Sequence, residues 1–262
     1  MKKTQIVPDL SRFPEPIAGF IEGAEVYDSS SSRQAKVLYI KNKGLYLKES
    51  EAGRLKNEAD MTGYFHSLGI SGEVLFYGTV SGRDWMLTRE IPGEDCISRK
   101  YRSDPKRLCR TAASILRELH RTDFALCPAR DAMDRYRQRV LEGMDGRYYS
   151  PDRFRGIWEF SSLEDTRAAA KEGLTVLKSE VLIHGDYCLP NLLLNDWEFS
   201  GFIDLDLAGI GDRHIDLLRW IWSMNYNLGT WEYTDLFLNE YGIGQAEKET
   251  LRLYAAMDML IE

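Results

Sequence analysis

The stretch that decides the reading is His184-Gly185-Asp186-Tyr187-Cys188-Leu189-Pro190-Asn191, flanked by the apolar runs Val181-Leu182-Ile183 and Leu192-Leu193-Leu194. It puts a carboxylate at the start of a loop and an amide five residues later. Alone, the His-Gly-Asp start reads two ways. It is a turn whose Asp caps a backbone amide, or a phosphoryl-transfer loop in which Asp addresses an acceptor hydroxyl and Asn holds a metal ion. The following residues separate these readings. After a turn at Asn195-Asp196, a strand over 199–203 delivers Asp204 to its terminus, so a second carboxylate stands on an adjoining loop. Three oxygen ligands from two loops suit Mg²⁺, a hard cation that prefers carboxylate and amide oxygens. The complete set favours phosphoryl transfer.

Upstream, short β-branched or aromatic runs at 24–27, 36–40 and 44–48 predict strands, with a hairpin turn at Asn42-Lys43-Gly44. Helical spacing follows over 53–68, with Gly69 as its C-cap. Strands at 73–80 and 84–88 come next, and Ile91-Pro92-Gly93 breaks the pattern. Lys48 closes Leu45-Tyr46-Leu47, and Glu58 stands ten residues on in the helix. The two match the lysine–glutamate pair that fixes nucleotide phosphates; an exposed strand lysine and an exposed helix glutamate are the plainer reading. Tyr46 shares the Lys48 face by the period of two, either as a purine platform or as a half-buried strand aromatic. Thr88, Arg89 and Ile91 would form the hinge whose backbone meets adenine. Among Ser29–Ser32, Ser31 and Ser32 would cover the phosphates; a polar turn reads equally well.

Beyond the hinge, helical patterns run over 105–120, 131–142 and 162–178, then 215–225, 231–241 and 245–261. The order predicts an α+β, bilobal, protein-kinase-like fold. Residues 1–90 form an N-terminal nucleotide-binding lobe, a five-stranded antiparallel sheet with one helix; the hinge is about 88–93. Residues 94–262 form a mainly helical C-terminal lobe with the catalytic loop and substrate site. Asp216 is expected to start a helix and tie the catalytic loop by backbone hydrogen bonds, and His184 to brace that loop. His66 and His120 read as helix-surface or helix-end residues.

The 262 residues are 44% hydrophobic, enough for a substantial core. No apolar run reaches membrane-spanning length, and the start lacks the apolar stretch of a secretory signal. Four cysteines without CxxC spacing read as reduced thiols of a cytoplasmic protein. Net charge is −7, with 15 basic and 8 acidic side chains over 99–155 but 7 basic and 19 acidic over 156–262. The arginines of the basic stretch recur at helical spacing, which marks a solvated helix face rather than a nucleic-acid surface.

On these residues the chain resembles the aminoglycoside phosphotransferases, most closely the 3′-phosphotransferases (kanamycin and neomycin kinases). The resemblance is carried by Leu45-Tyr46-Leu47-Lys48, Gly82-Arg83-Asp84-Trp85, Pro92-Gly93-Glu94-Asp95, Leu116-Arg117-Glu118-Leu119-His120, the 184–191 run, Ser200-Gly201-Phe202-Ile203-Asp204, and Gly211-Asp212-Arg213 with Asp216. It implies transfer of the γ-phosphate of ATP, or alternatively GTP, to a hydroxyl of an aminoglycoside, conferring resistance by inactivation. Asp186 would be the base or orienter, with Lys48 and Glu58 beside it in catalysis; Asn191 and Asp204 would hold Mg²⁺. Acidic side chains capture the polycation in that family, which makes Glu159, Asp258 and Glu262, with Asp186, the candidate substrate contacts. The acidic final third suits a cationic partner through long-range attraction. Two departures stand out. The relatives end in Asp-Glu and aromatics, whereas this chain ends Asp258-Met259-Leu260-Ile261-Glu262; they carry Gly-Arg where it has Asp206-Leu207. A related kinase for another hydroxylated metabolite or antibiotic is the second reading, an inactive nucleotide-binding module the third. Protein kinase activity fits less well, because 204–216 is short and no Ala-Pro-Glu closes it. The expected partner is a small cationic molecule, with no nucleic acid and no membrane, the protein being a monomer or weak dimer.

Overall fold

The computed structural model describes residues 4–30 and 35–261. They divide into two compact units, Met1–Pro92 with Ser200–Asp206, and Gly93–Phe199 with Leu207–Glu262.

The first unit runs β1 (Thr4–Ile6), α1 (Glu15–Ile21), β2 (Val26–Asp28), β3 (Lys36–Ile40), β4 (Leu45–Glu51), α2 (Lys56–Ser67), β5 (Val74–Val80) and β6 (Arg83–Arg89). Its sheet has six strands in the order β1-β2-β3-β4-β6-β5, each neighbouring pair antiparallel. The five strands and single helix expected from the sequence become six strands and two α-helices. The additions are short: β1 is mostly exposed and has no alternation, and α1 buries only Ile17 and Ile21. One apolar pair at i, i+4 is too little for periodicity to reveal.

Alternation along β4 sorts its side chains. Leu45 and Leu47 enter a core with Ile17, Ile21, Val26, Leu38, Ile40, Trp85 and Leu87. Lys48 points to the opposite face and registers against Met86, which packs with Leu55 and Ala59 around α2. Asp84 sets where that helix begins. It is fully buried and accepts from Leu55 N at 3.0 Å, from Thr79 Oγ1 at 2.6 Å and from Tyr77 Oη at 3.2 Å. Burial works against its charge, but these donors outweigh burial and hold its carboxyl below the usual range.

The second unit contains β7 (Glu94–Asp95), α3 (Arg99–Arg102), α4 (Pro105–Arg121), α5 (Ala132–Gly143), α6 (Leu163–Val176), β8 (Val181–Ile183), β9 (Leu192–Asn195), β10 (Glu198–Phe202), β11 (Gly209–Gly211), α7 (Arg213–Leu228), α8 (Thr234–Tyr241) and α9 (Gln245–Asp258). The last residues of β10 pass into the first unit, where Phe202 N donates to Ile70 O at 2.9 Å and its ring meets Phe65. Asp104 caps α4 ahead of Pro105, and Ser162 caps α6. Basic helix faces find partners within the unit, Arg110 and Arg117 on Glu240 and Arg135 on Asp131. Among the described residues no helix is long and apolar enough to cross a membrane, and the four cysteines are free and buried.

Candidate active site

In the first unit, Lys48 Nζ lies 2.9 and 2.7 Å from the two Glu58 oxygens and 2.7 Å from Asp204 Oδ1. Strand alternation aims the lysine, the Asp84-anchored helix carries Glu58, and the Phe202 anchor delivers Asp204. Burial lowers the Lys48 pKa, but Glu58 and Asp204 outweigh it and the net displacement is upward. Burial pushes Glu58 up to about 7 against the pull of Lys48, with Asp204 adding repulsion. Asp204 takes a left-handed backbone, φ 61°, that a non-glycine residue adopts at a cost of roughly 1–3 kcal/mol. Its side chain is 51% exposed, against 5% for Glu58.

On the sheet face that carries Lys48, the Tyr46 ring is half-buried and stacks on Tyr39, with centroids 4.7 Å apart. Tyr39 Oη donates to Glu90 Oε2 at 2.9 Å, and burial plus that carboxylate push the phenol up to about 12. Thr88 pairs with Tyr46 across β4 and β6. Arg89 N donates to Glu73 O, Glu90 N donates to Gly44 O, and the Arg89 side chain pairs with Glu73. Ser31 and Ser32 lie outside the described residues.

In the second unit the catalytic loop is tied down along its length. Asp216 accepts from His184 N at 2.8 Å and from Gly185 N at 2.7 Å, the expected tie, although it stands in the first turn of α7, whose N-cap is Asp212, and does not start the helix. His120 is buried rather than on a helix surface. Its Nε2 lies 3.1 Å from Asp216 Oδ2, and its Nδ1 lies 2.8 Å from Tyr241 Oη. Gly185 has φ 81°, and a Cβ there would fall 2.1 Å from Leu207 O, so no other residue fits. Tyr187 Oη donates to Ala112 O, Leu189 N donates to Ser223 Oγ, and Asp186 N donates to His184 Nδ1 at 3.3 Å, the expected brace.

Asp186 is thereby presented with defined contacts. Asn191 Nδ2 donates to Asp186 Oδ2 and to its carbonyl, each at 2.9 Å, and Cys188 Sγ lies 3.1 Å from Oδ1. Burial, then Asp186, push the Cys188 thiol far up, so the proton stays on sulfur and points at the carboxylate. Arg219 Nε is 3.8 Å from the same Oδ1. Because Asn191 spends its N–H groups on Asp186, its Oδ1 has no protein partner among the described residues. That amide oxygen is a hard donor of the kind Mg²⁺ takes, and so, within the first unit, is the half-exposed Asp204 carboxylate.

The expected substrate contacts divide. Glu159 is exposed in the segment before α6, and Glu262 lies outside the described residues. Asp258 corrects the sequence reading: it is 2% exposed, with Oδ1 held by Arg219 at 3.0 Å and Oδ2 by Arg153 at 2.9 Å. A carboxylate closed in by two arginines is not presented to a cation in solution. Asp84, Arg219 and Arg153 escaped sequence reasoning. For Arg219 a signal exists: three residues after Asp216, it stands on the helix side that serves the loop.

Known proteins agree with this architecture. Residues 24–260 match the family described as "Phosphotransferase enzyme family". A "Probable aminoglycoside 3′-phosphotransferase" of Lactococcus lactis is 37% identical over 252 residues, 96% of each chain. An "Aminoglycoside 3′-phosphotransferase" of Niallia circulans is 27% identical over 71% of each. Among solved structures, an aminoglycoside 3′-phosphotransferase of type VIII superposes with a TM-score of 0.70 at 23% identity, over 99% of this chain and 94% of the other. An aminoglycoside phosphotransferase of Streptomyces rimosus, in complex with ADP and streptomycin, has a TM-score of 0.70 at 21% identity over 86% and 90%. The structures establish the fold, an antiparallel N-terminal sheet followed by a helical part, and the sequence match establishes the lineage: the chain belongs to the phosphotransferase enzyme family.

Proposed function

We propose that this chain is an ATP- and Mg²⁺-dependent kinase that phosphorylates a hydroxyl of an aminoglycoside and so inactivates it. The observation that carries the reading is the fixed presentation of Asp186 by Asn191, Cys188 and the Asp216-tied backbone. In the reaction, the acceptor oxygen bonds to the γ-phosphorus as the β,γ-bridging P–O bond breaks. ADP leaves, and the hydroxyl proton passes to an Asp186 oxygen on its way to solvent. Asp186 also orients that hydroxyl, and Lys48, held by Glu58, takes the α- and β-phosphates. Tyr46 on Tyr39 offers a stacking surface for the purine, and the adenine edge is met at Ile91, because Arg89 N and Glu90 N already have partners. Asn191 Oδ1 and the Asp204 carboxylate are each a donor that would serve Mg²⁺, and the ion would neutralise charge on the phosphates.

Support for a polycationic acceptor comes from the named relatives and from the acidic final third. The engagement of Asp258 favours a second reading, in which the acceptor range departs from that of the relatives. The test is ADP release from ATP and from GTP across a panel of aminoglycosides, with other hydroxylated antibiotics as controls. Stimulation by one or more aminoglycosides is expected. Stimulation by the controls alone would transfer the assignment to the second reading.

A further inference from the structure

The mechanism gives no task to a largely buried run of charges in the second unit. Arg219 on α7 has an 11% exposed side chain and sits between two carboxylates, with Nε 3.8 Å from Asp186 Oδ1 and Nη2 3.0 Å from Asp258 Oδ1. Asp258, the last residue of α9, is fixed from its other side. Arg153 Nη1 lies 2.9 Å from Asp258 Oδ2 and donates to the Asp258 carbonyl at 2.6 Å. The result is a run of alternating charge, Asp186–Arg219–Asp258–Arg153. A guanidinium is planar with donors in a rigid fork, so anchoring Nη2 on Asp258 sets the direction of the neighbouring Nε. That nitrogen faces Asp186.

At 3.8 Å the Arg219–Asp186 contact is an ion pair without a hydrogen bond. Direct donors to the carboxylate are Asn191 on Oδ2 and the Cys188 thiol on Oδ1. The charge of Arg219 therefore adds a steering force along one oxygen and leaves the hydrogen-bonding lone pairs to others. We propose that Arg219, anchored by Asp258, is a positioning residue for Asp186, so that the end of α9 braces the catalytic loop instead of capturing substrate. The inference rests on the role of Asp186 given above.

The test compares Arg219→Met, Arg219→Lys and the near-isosteric Asp258→Asn, with kanamycin A as acceptor. Arg219→Met and Asp258→Asn should each lower kcat by roughly 10- to 100-fold, the range expected when a reacting group is misplaced by about 1 Å, with KM for ATP and kanamycin unchanged. Arg219→Lys, which keeps the charge and loses the fork, should recover part of the loss. In an Asp186→Asn background, Arg219→Met should have no further effect on the residual rate. A merely structural pair would lower melting temperature, raise both KM values and cost the same in either background; that pattern, or normal kcat in Asp258→Asn, overturns the proposal. Where Arg219→Met fails to fold, Asp258→Asn decides. If kanamycin does not stimulate the unmutated enzyme, the aminoglycoside reading is what has failed, and the same comparison decides the positioning role from slow ADP release with water as acceptor.

Discussion

Two charged clusters, one in each unit, solve opposite problems. In the first, one ammonium, Lys48, is shared by two carboxylates, and one of these, Asp204, is half exposed. In the second, carboxylates and guanidiniums alternate in equal number, with Arg219 and Asp258 almost wholly enclosed. An excess of negative charge with an exposed member is suited to exchanging partners when phosphates and a metal ion arrive. A balanced, enclosed run is suited to staying as it is, because removing either partner strands a charge at a cost of several kcal/mol. The contrast assigns exchange to the nucleotide side and rigidity to the catalytic loop.

The sharpest way to break this contrast is to remove the group that the rigid cluster serves. Asp186→Asn keeps the shape and the Asn191 contact but cannot take a proton. Its kcat should fall by at least about 10²-fold, the usual worth of a positioned base, while nucleotide affinity by calorimetry stays unchanged. Near-normal turnover in that variant would end the mechanism. Lys48→Met probes the exchanging cluster. It leaves Glu58 buried without its cation, so Glu58 should take up a proton and the nucleotide should lose its phosphate anchor. A large rise in KM for ATP is expected, with a stability loss below the roughly 3–5 kcal/mol of a fully buried broken pair, because the Lys48 side chain is 19% exposed.

The contrast also explains what could be read from the chain. Residues that work through spacing were legible: Asp186 and Asn191 five apart, Lys48 and Tyr46 two apart on a strand, Asp216 near a helix start, in the first turn of α7. Strand alternation and loop length leave little freedom, so sequence distance becomes direction. Residues that work through distant packing were hidden. Asp84 sits in a strand at a position where alternation predicts only a side, and its donors come from 53, 55, 77 and 79. Asp258 was read as a candidate substrate contact because nothing local announces Arg153, 105 residues away. His120 lay at a helix end as expected, but its burial depends on α7 and α8.

An intermediate effect should appear with pH. Glu58 is raised from an ordinary 4.5 to about 7 by burial, then by Asp204, against Lys48. As pH falls through about 7 the carboxylate gains a proton and the Lys48–Glu58 ion pair is lost, so nucleotide affinity should weaken, by at most about tenfold per pH unit for one proton. Stability moves the other way. A folded pKa above the unfolded one means the folded chain binds more protons, so this group favours folding at lower pH, and that contribution declines as pH rises from about 4.5 to about 7. Glu58→Gln should flatten both dependences. A wild-type affinity profile that is level from pH 6 to 8 would show that Lys48 keeps Glu58 ionised, and would move the exchange entirely to Asp204.

The smallest expected effect sharpens the nucleotide side. Tyr39 holds its ring against Tyr46 and its hydroxyl on Glu90, beside the segment proposed to meet the purine. Tyr39→Phe removes the hydroxyl and keeps the stack. A half-buried hydrogen bond of this kind is worth about 0.5–1.5 kcal/mol, so KM for ATP should rise between about twofold and tenfold if the bond orders the platform before the nucleotide arrives, with kcat unchanged. Tyr39→Ala should cost more, since it also removes the stacked ring. Equal KM values for the two variants would mean that the hydroxyl alone matters, and that Tyr46 meets the purine without support from the neighbouring strand. A normal KM in both would take Tyr39 out of nucleotide binding and leave its bond to Glu90 as a local tie between β3 and the end of β6.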